Sequence, residues 1–216
     1  YFFVFIDRGL ERLTVPIIAT DNEKAGNMAV RHLLETDCRR VYILTEGRFS
    51  SGAGRVRGAR HALQKAGSLF DASSVRHSDF YDDAAGYAMT CELLAERRAR
   101  NEHDPFSLFC ISGGIARGSY IALKEAGLQI PSDVMIVGFD AEFAAYLDPP
   151  LTAVYQPLYE MGKVAVESAV AALQTGRAPQ SVRLKPELIV RSSSDPRSGY
   201  CPAKTLREND VLLLEV

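Results

Sequence analysis

The sequence predicts an open α/β fold in which parallel strands are covered by helices on both faces. Three observations carry this reading. Short apolar runs such as Val134, Met135, Ile136 and Val137 have the unbroken hydrophobicity that a strand buried on both faces requires. Between such runs lie amphipathic segments with helical spacing, two of them closed by Gly67 and Gly127. The two kinds of segment alternate with short connections, the pattern of right-handed crossovers between parallel strands.

The opening YFFVFI reads as a strand, and residues 16–19 as a second, with Pro16 at the first position where a missing donor is tolerated. Thr20 and Glu23 have capping-box spacing for a helix reaching Thr36. Residues 41–44 form a strand, residues 46–54 a loop rich in glycine and serine, and residues 55–66 a helix. The unit repeats with a short strand at 74–77, a helix at 83–98, a strand at 108–111 and a helix at 115–126. Gly138 is expected to turn the chain after the strand of residues 134–137, delivering Asp140 at its carboxyl end. Open α/β sheets place ligand groups there; a turn-capping aspartate is the alternative. A long helix follows Pro157 to Thr175, then short strands at 182–184 and 188–191. The composition changes from Ser192, and residues 195–216 read as a tail that is docked on a neighbour, disordered or foreign.

With 216 residues, 47% apolar and 24% charged, the chain can bury a substantial core. A net charge of −2 leaves no positive surplus to neutralise phosphates, so DNA contact is expected outside this chain. Cys38, Cys91, Cys110 and Cys201 are scattered without C-x-x-C spacing, which suits free thiols in a reducing, cytoplasmic setting. No apolar run approaches the roughly 20 residues that span a bilayer, and no basic leader precedes YFFVFI, so no membrane contact is expected. Because Tyr1 already lies in a strand, an upstream part is expected to be missing.

Catalytic readings find little support. GRFSSGAGR, from Gly47, has the glycine spacing of a P-loop, but Ala53 stands where lysine is needed. Neither a G-x-G-x-x-G after the first strand nor a G-x-S-x-G elbow is present. His32, His61, His77 and His103 lack metal-ligand spacing to Cys, Asp or Glu. No reaction, metal or cofactor is expected.

Several motifs occur in a telling order: VFIDR, TDNEKAG, RHLLE, RVRGARHAL, GYAMTCELL, ALKEAGLQIPSDVMIVGFD, then DPPLT and QPLYEMG. Together they resemble the effector-binding domain of the lac-repressor/galactose-repressor (LacI/GalR) family of bacterial transcription regulators. The resemblance implies two Rossmann-like lobes with parallel sheets and a ligand cleft between them, like type I periplasmic binding proteins, with the first lobe incomplete. Residues 1–20 and 155–186 would then belong to the N-terminal lobe, and 21–154 with 187–194 to the C-terminal lobe.

The resemblance further implies a small-molecule effector, commonly a sugar or nucleobase derivative, a homodimer, and operator DNA contacted only through a helix-turn-helix domain absent from this chain. Asp7, Arg55, Asp140 and Gln156 match ligand positions. Their bland counterparts are an Asx-turn, a surface arginine, a turn cap and a backbone partner. Ser112 and Gly113 stand where most members carry Asn-Asp, and Ala141 replaces a second acid after Asp140. Each lost partner is worth roughly 1.5–3 kcal/mol. The effector is then less hydroxylated or otherwise different, or amide groups at Gly113 and Gly114 hold an anion such as phosphate. A periplasmic sugar-binding protein of a transport system is the alternative function.

Overall fold

The computed structural model describes residues 2–9, 15–36, 40–68 and 70–195. Its strands form two open sheets. The smaller has the order β1 (Phe5–Ile6), β2 (Ile17–Thr20), β8 (Val182–Leu184), all parallel. The larger has the order β4 (Val75–Ser78), β3 (Val41–Glu46), β5 (Phe106–Cys110), β6 (Val134–Phe139), β7 (Thr152–Tyr155), β9 (Glu187–Ile189). Its strands are parallel except β9, which runs antiparallel to β7. The expected α/β class with parallel sheets is the observed one. The chain leaves the smaller sheet after β2, returns after β7 and leaves it again after β8.

Helices α1 (Asn22–Glu35), α2 (Ser50–Lys65), α3 (Asp83–Ala99) and α4 (Gly113–Glu125) alternate with the strands of the larger sheet. Tyr42, Leu44, Leu108, Phe109, Ile136 and Phe139 build the main core, continued by Leu33, Leu93, Ile115 and Leu123 from the helices. A second, smaller core joins Ile18 to Met161 and Ala165 of α6 (Leu158–Thr175).

Several boundaries differ from the sequence reading for identifiable reasons. The cap of α1 is Asp21, whose Oδ1 accepts the Lys24 N–H at 3.0 Å, while Thr20 ends β2. Helix α2 starts at Ser50, inside the expected loop, because glycines on both α1 and α2 serve packing. A Cβ at Gly26 would collide with the Arg55 carbonyl, and one at Gly58 with the Glu23 carbonyl. The composition resembles a loop, but the contact is a close helix crossing. Gly138 likewise does not turn the chain. It lies within β6, where a Cβ would stand 3.0 Å from Ala116 and Leu151. The first strand contracts to Phe5–Ile6, and Ala141–Ala144 form a short helix, α5, that no periodicity announced.

The serines at the change of composition are structural. Ser193 and Ser194 are 0% exposed. Ser193 Oγ donates to the Ile136 carbonyl at 2.6 Å and accepts the Thr152 N–H at 2.8 Å, pinning the segment across β6 and β7. The tail expected beyond Asp195, with Cys201, and Cys38 lie outside the described residues. Cys91 and Cys110 are free.

Gly58→Ala is expected to cost about 3 kcal/mol, since a backbone carbonyl cannot give way to a methyl group. Gly162→Ala, where a Cβ meets nothing within 4 Å, should gain about 0.5–1 kcal/mol from lost unfolded-state freedom. Urea denaturation of both variants measures the contrast.

Candidate functional site

Parallel strands expose their carboxyl ends along one edge, and the loops leaving those ends meet the smaller sheet here. Asp7 follows β1, Phe49 follows β3, Tyr81 follows β4, Ser112 follows β5 and Asp140 follows β6. Between them lies a cavity of about 380 Å³. Its wall includes Asp7, Arg55, Ser112, Gly113, Asp140 and Gln156, so all six candidate residues are brought together.

Arg55 is the centre of this arrangement. It is 6% exposed. Its Nε donates to Asn22 Oδ1 at 2.8 Å, Nη1 to the Ile111 carbonyl at 2.5 Å, and Nη2 to Gln156 Oε1 at 2.8 Å. The guanidinium also lies 3.7 Å from the centre of the Phe139 ring. Burial pushes its pKa down to about 10, opposed by the fields of Asp7 and Asp140, so the charge persists at neutral pH. The surface-arginine alternative is excluded by this burial.

Asp7 and Asp140 both adopt left-handed backbone, with φ of 66° and 64°. Non-glycine residues pay for that conformation, although aspartate tolerates it better than most. Asp140 precedes α5 but makes no side-chain cap bond to that helix. Its Oδ1 accepts Gln156 Nε2 at 2.8 Å and its Oδ2 accepts the Gly113 N–H at 3.3 Å. Asp7 Oδ2 pairs with Arg8 Nε at 3.3 Å, while its buried Oδ1 has no hydrogen-bond partner in the protein. A buried acceptor of that kind is uncommon.

Ser112 and Gly113 have structural duties. Ser112 Oγ accepts the Ile115 N–H at 3.2 Å, capping α4, and donates to the Tyr81 carbonyl at 2.9 Å. A Cβ at Gly113 would collide with the Phe143 ring, and its amide is taken by Asp140. The anion expectation therefore loses an amide group to a carboxylate of the protein itself. The cavity charges agree: Asp7, Asp82, Asp83 and Asp140 face Arg8, Arg55 and Arg117, four carboxylates against three guanidinium groups. An added anion would meet a net negative wall.

Sequence reasoning missed Arg8, Phe49 and Tyr81. The Arg8 guanidinium lies 4.3 Å from the Phe49 ring centre and 4.7 Å from that of Tyr81, spanning the mouth between the two sheets. Tyr81 could have been found by the strand-end rule that singled out Asp140. Nothing in the spacing of Phe49 and Tyr81 announces that their rings meet edge-on at 5.8 Å. Among the described residues, no group of three or more His, Cys, Asp or Glu is arranged to hold a metal ion. No described helix is long and apolar enough to cross a membrane.

Residues 30–194 match the family profile described as periplasmic binding protein-like domain. Among curated proteins, the chain is 29% identical over 197 residues to the HTH-type transcriptional repressor PurR of Aliivibrio fischeri, covering 90% of this chain and 57% of that one. It is 31% identical to the ribose operon repressor of Haemophilus influenzae, covering 88% and 56% respectively. Thus the chain spans about half the length of the curated relatives it matches. A crystal structure of a regulatory protein of the LacI family from Chloroflexus aggregans superposes with a TM-score of 0.77 at 31% identity, covering 90% of this chain and 69% of that one.

Arg55→Met should cost about 3–5 kcal/mol, because the buried acceptors of Asn22, Ile111 and Gln156 lose their donor. Arg8→Ala, which removes a partly exposed pair and its ring contacts, should cost about 1 kcal/mol. Urea melts of the two variants compare them directly, and equal losses would contradict the assignment of Arg55 as the structural centre.

Proposed function

The chain belongs to the LacI/GalR family of transcription regulators, as a periplasmic-binding-protein-like effector domain, and from that premise we propose that it binds a small hydroxylated effector between its two sheets. The observation that carries this reading is the convergence of six candidate residues on one cavity of about 380 Å³, a size suited to a small ligand. Asp7 and Asp140 accept hydrogen bonds from hydroxyl groups, Arg55 donates, Gln156 lies between Arg55 and Asp140, and Ser112 with Gly113 forms the adjoining wall. The near balance of acidic and basic groups favours a neutral polar effector, such as a sugar or sugar derivative, over a phosphate.

Residues 1–20 and 155–186 act in this reading as one lobe, and 21–154 with 187–194 as the other. An effector that prefers the closed arrangement shifts the lobes toward it. In a homodimer this changes the relative pose of two subunits, and so the fit of attached helix-turn-helix domains to two operator half-sites. The coupling extends only as far as the effector distinguishes the two arrangements. Such a protein works in the cytoplasm and performs no reaction. An exported sugar-binding protein would share the fold, but the curated relatives matched are repressors, which supports the regulator.

The test is a thermal-shift panel of neutral pentoses, hexoses and disaccharides, their phosphate esters, and purine bases. At least one neutral sugar should raise the melting temperature by roughly 5–10 °C near 100-fold excess over Kd, and Asp140→Ala should weaken its binding at least about tenfold. Stabilisation by phosphate esters alone would contradict the reading.

A further inference from the structure

Gln156 follows β7 and precedes Pro157, at the crossover by which the chain passes from the larger sheet to the smaller. Its backbone carbonyl accepts the Leu158 N–H at 2.8 Å, and the residue is 7% exposed. The buried side-chain amide must therefore find partners inside the protein. Arg55 Nη2 donates to Oε1 at 2.8 Å, and Thr20 Oγ1, from β2, approaches the same oxygen at 3.5 Å. On the other side, Nε2 donates to Asp140 Oδ1 at 2.8 Å.

A guanidinium only donates, and an ionised carboxylate only accepts. Between the two, an amide has one workable orientation, with oxygen toward Arg55 and nitrogen toward Asp140. Leucine could do neither job, and glutamate only the first. We propose that Gln156 is a positioning residue of the effector site, a neutral adapter that holds Arg55 and Asp140 apart and keeps both facing the cavity. The purpose of this adapter rests on the effector reading, while its chemistry rests on the protein alone. Arg55 retains N–H groups beyond those given to Asn22, Ile111 and Gln156, and Asp140 retains lone pairs beyond those given to Gln156 and Gly113. A hydroxyl group, which both donates and accepts, can bridge them.

Gln156→Glu keeps the acceptor for Arg55 but sets a carboxylate against Asp140. Two carboxylates in contact share one proton at low pH, and that proton replaces the lost Nε2 donor. As pH rises the folded protein must release a proton that it holds more tightly than the unfolded chain, so stability falls. The charged groups around the pair are Asp7 and Arg8 after β1, Glu46 at the end of β3, Arg55 on α2, Asp82 and Asp83 at the start of α3, and Arg117 on α4. They are common to all variants, so a difference between pH profiles isolates the pair. In Gln156→Glu/Asp140→Asn, the new amide at 140 donates to residue 156 and accepts from Gly113, which restores the chain of bonds in reverse.

The experiment is thermal melting of the whole chain as wild type, Gln156→Glu and the double variant, between about pH 5 and about pH 8. Relative to wild type, Gln156→Glu should lose roughly 5–10 °C as pH rises across that interval, and the double variant should show no such slope. A single variant that tracks the wild type at every pH overturns the proposal, as does a double variant that keeps the slope. Should Gln156→Glu fail to fold, the double variant decides alone: cooperative melting without added pH dependence supports the adapter, and absence of melting overturns it. No ligand enters the readout, so a silent sugar panel would count against the effector reading and leave the adapter untouched.

Discussion

A buried cation is the constraint from which the rest of this site follows. Removing a guanidinium from water costs several kcal/mol unless hydrogen bonds and nearby charge offset the loss. Arg55 meets that requirement with acceptors from three places: Asn22 at the start of α1, the Ile111 carbonyl beyond β5, and Gln156 beyond β7. Each must be held within bonding distance, and helix packing supplies the means. Gly26, Gly54 and Gly58 remove the side chains that would otherwise separate α1 from α2. The same crossing that tolerates only glycine thus delivers Arg55 to Asn22.

Around this cation none of the cavity's acidic groups bonds to Arg55 itself. Asp140 bonds to two neutral partners, the amide of Gln156 and the backbone N–H of Gly113. Asp7 leans on Arg8, itself held against Phe49 and Tyr81 on the opposite side of the cavity mouth. These contacts between the two sheets are polar and aromatic. The Gly9 N–H, for instance, bonds to Ser50 Oγ at 3.3 Å. Such contacts exchange for water at modest cost, whereas the dry core of the larger sheet does not.

The parts legible in the sequence were those in which one physical demand dominates. Strands buried on both faces need unbroken apolar runs, so β3 and β6 could be read directly, and Asp140 followed from its place at a strand's end. Where two demands compete, the reading slipped. Glycine and serine at 47–54 satisfy either a loop or a close helix crossing, and only the partner helix decides between them. Gly138 satisfies either a turn or a tight strand–helix contact, and Ala116 with Leu151 supplies the second. Arg55 and Gln156 were recognised through motif resemblance, because residues 101 positions apart in the chain leave no spacing from which their bond could be inferred. The Arg8, Phe49 and Tyr81 stack was missed for the same reason.

Amide hydrogen exchange with and without a sugar that stabilises the protein reports where the ligand acts instead of whether it acts. A ligand held between the two sheets slows exchange in the loops after β1, β3, β5 and β6 and at the Gln156 crossover, with little change at the opposite end of the larger sheet. Protection concentrated there, around the separate cavity lined by Leu94, Phe106 and Leu128, would contradict it.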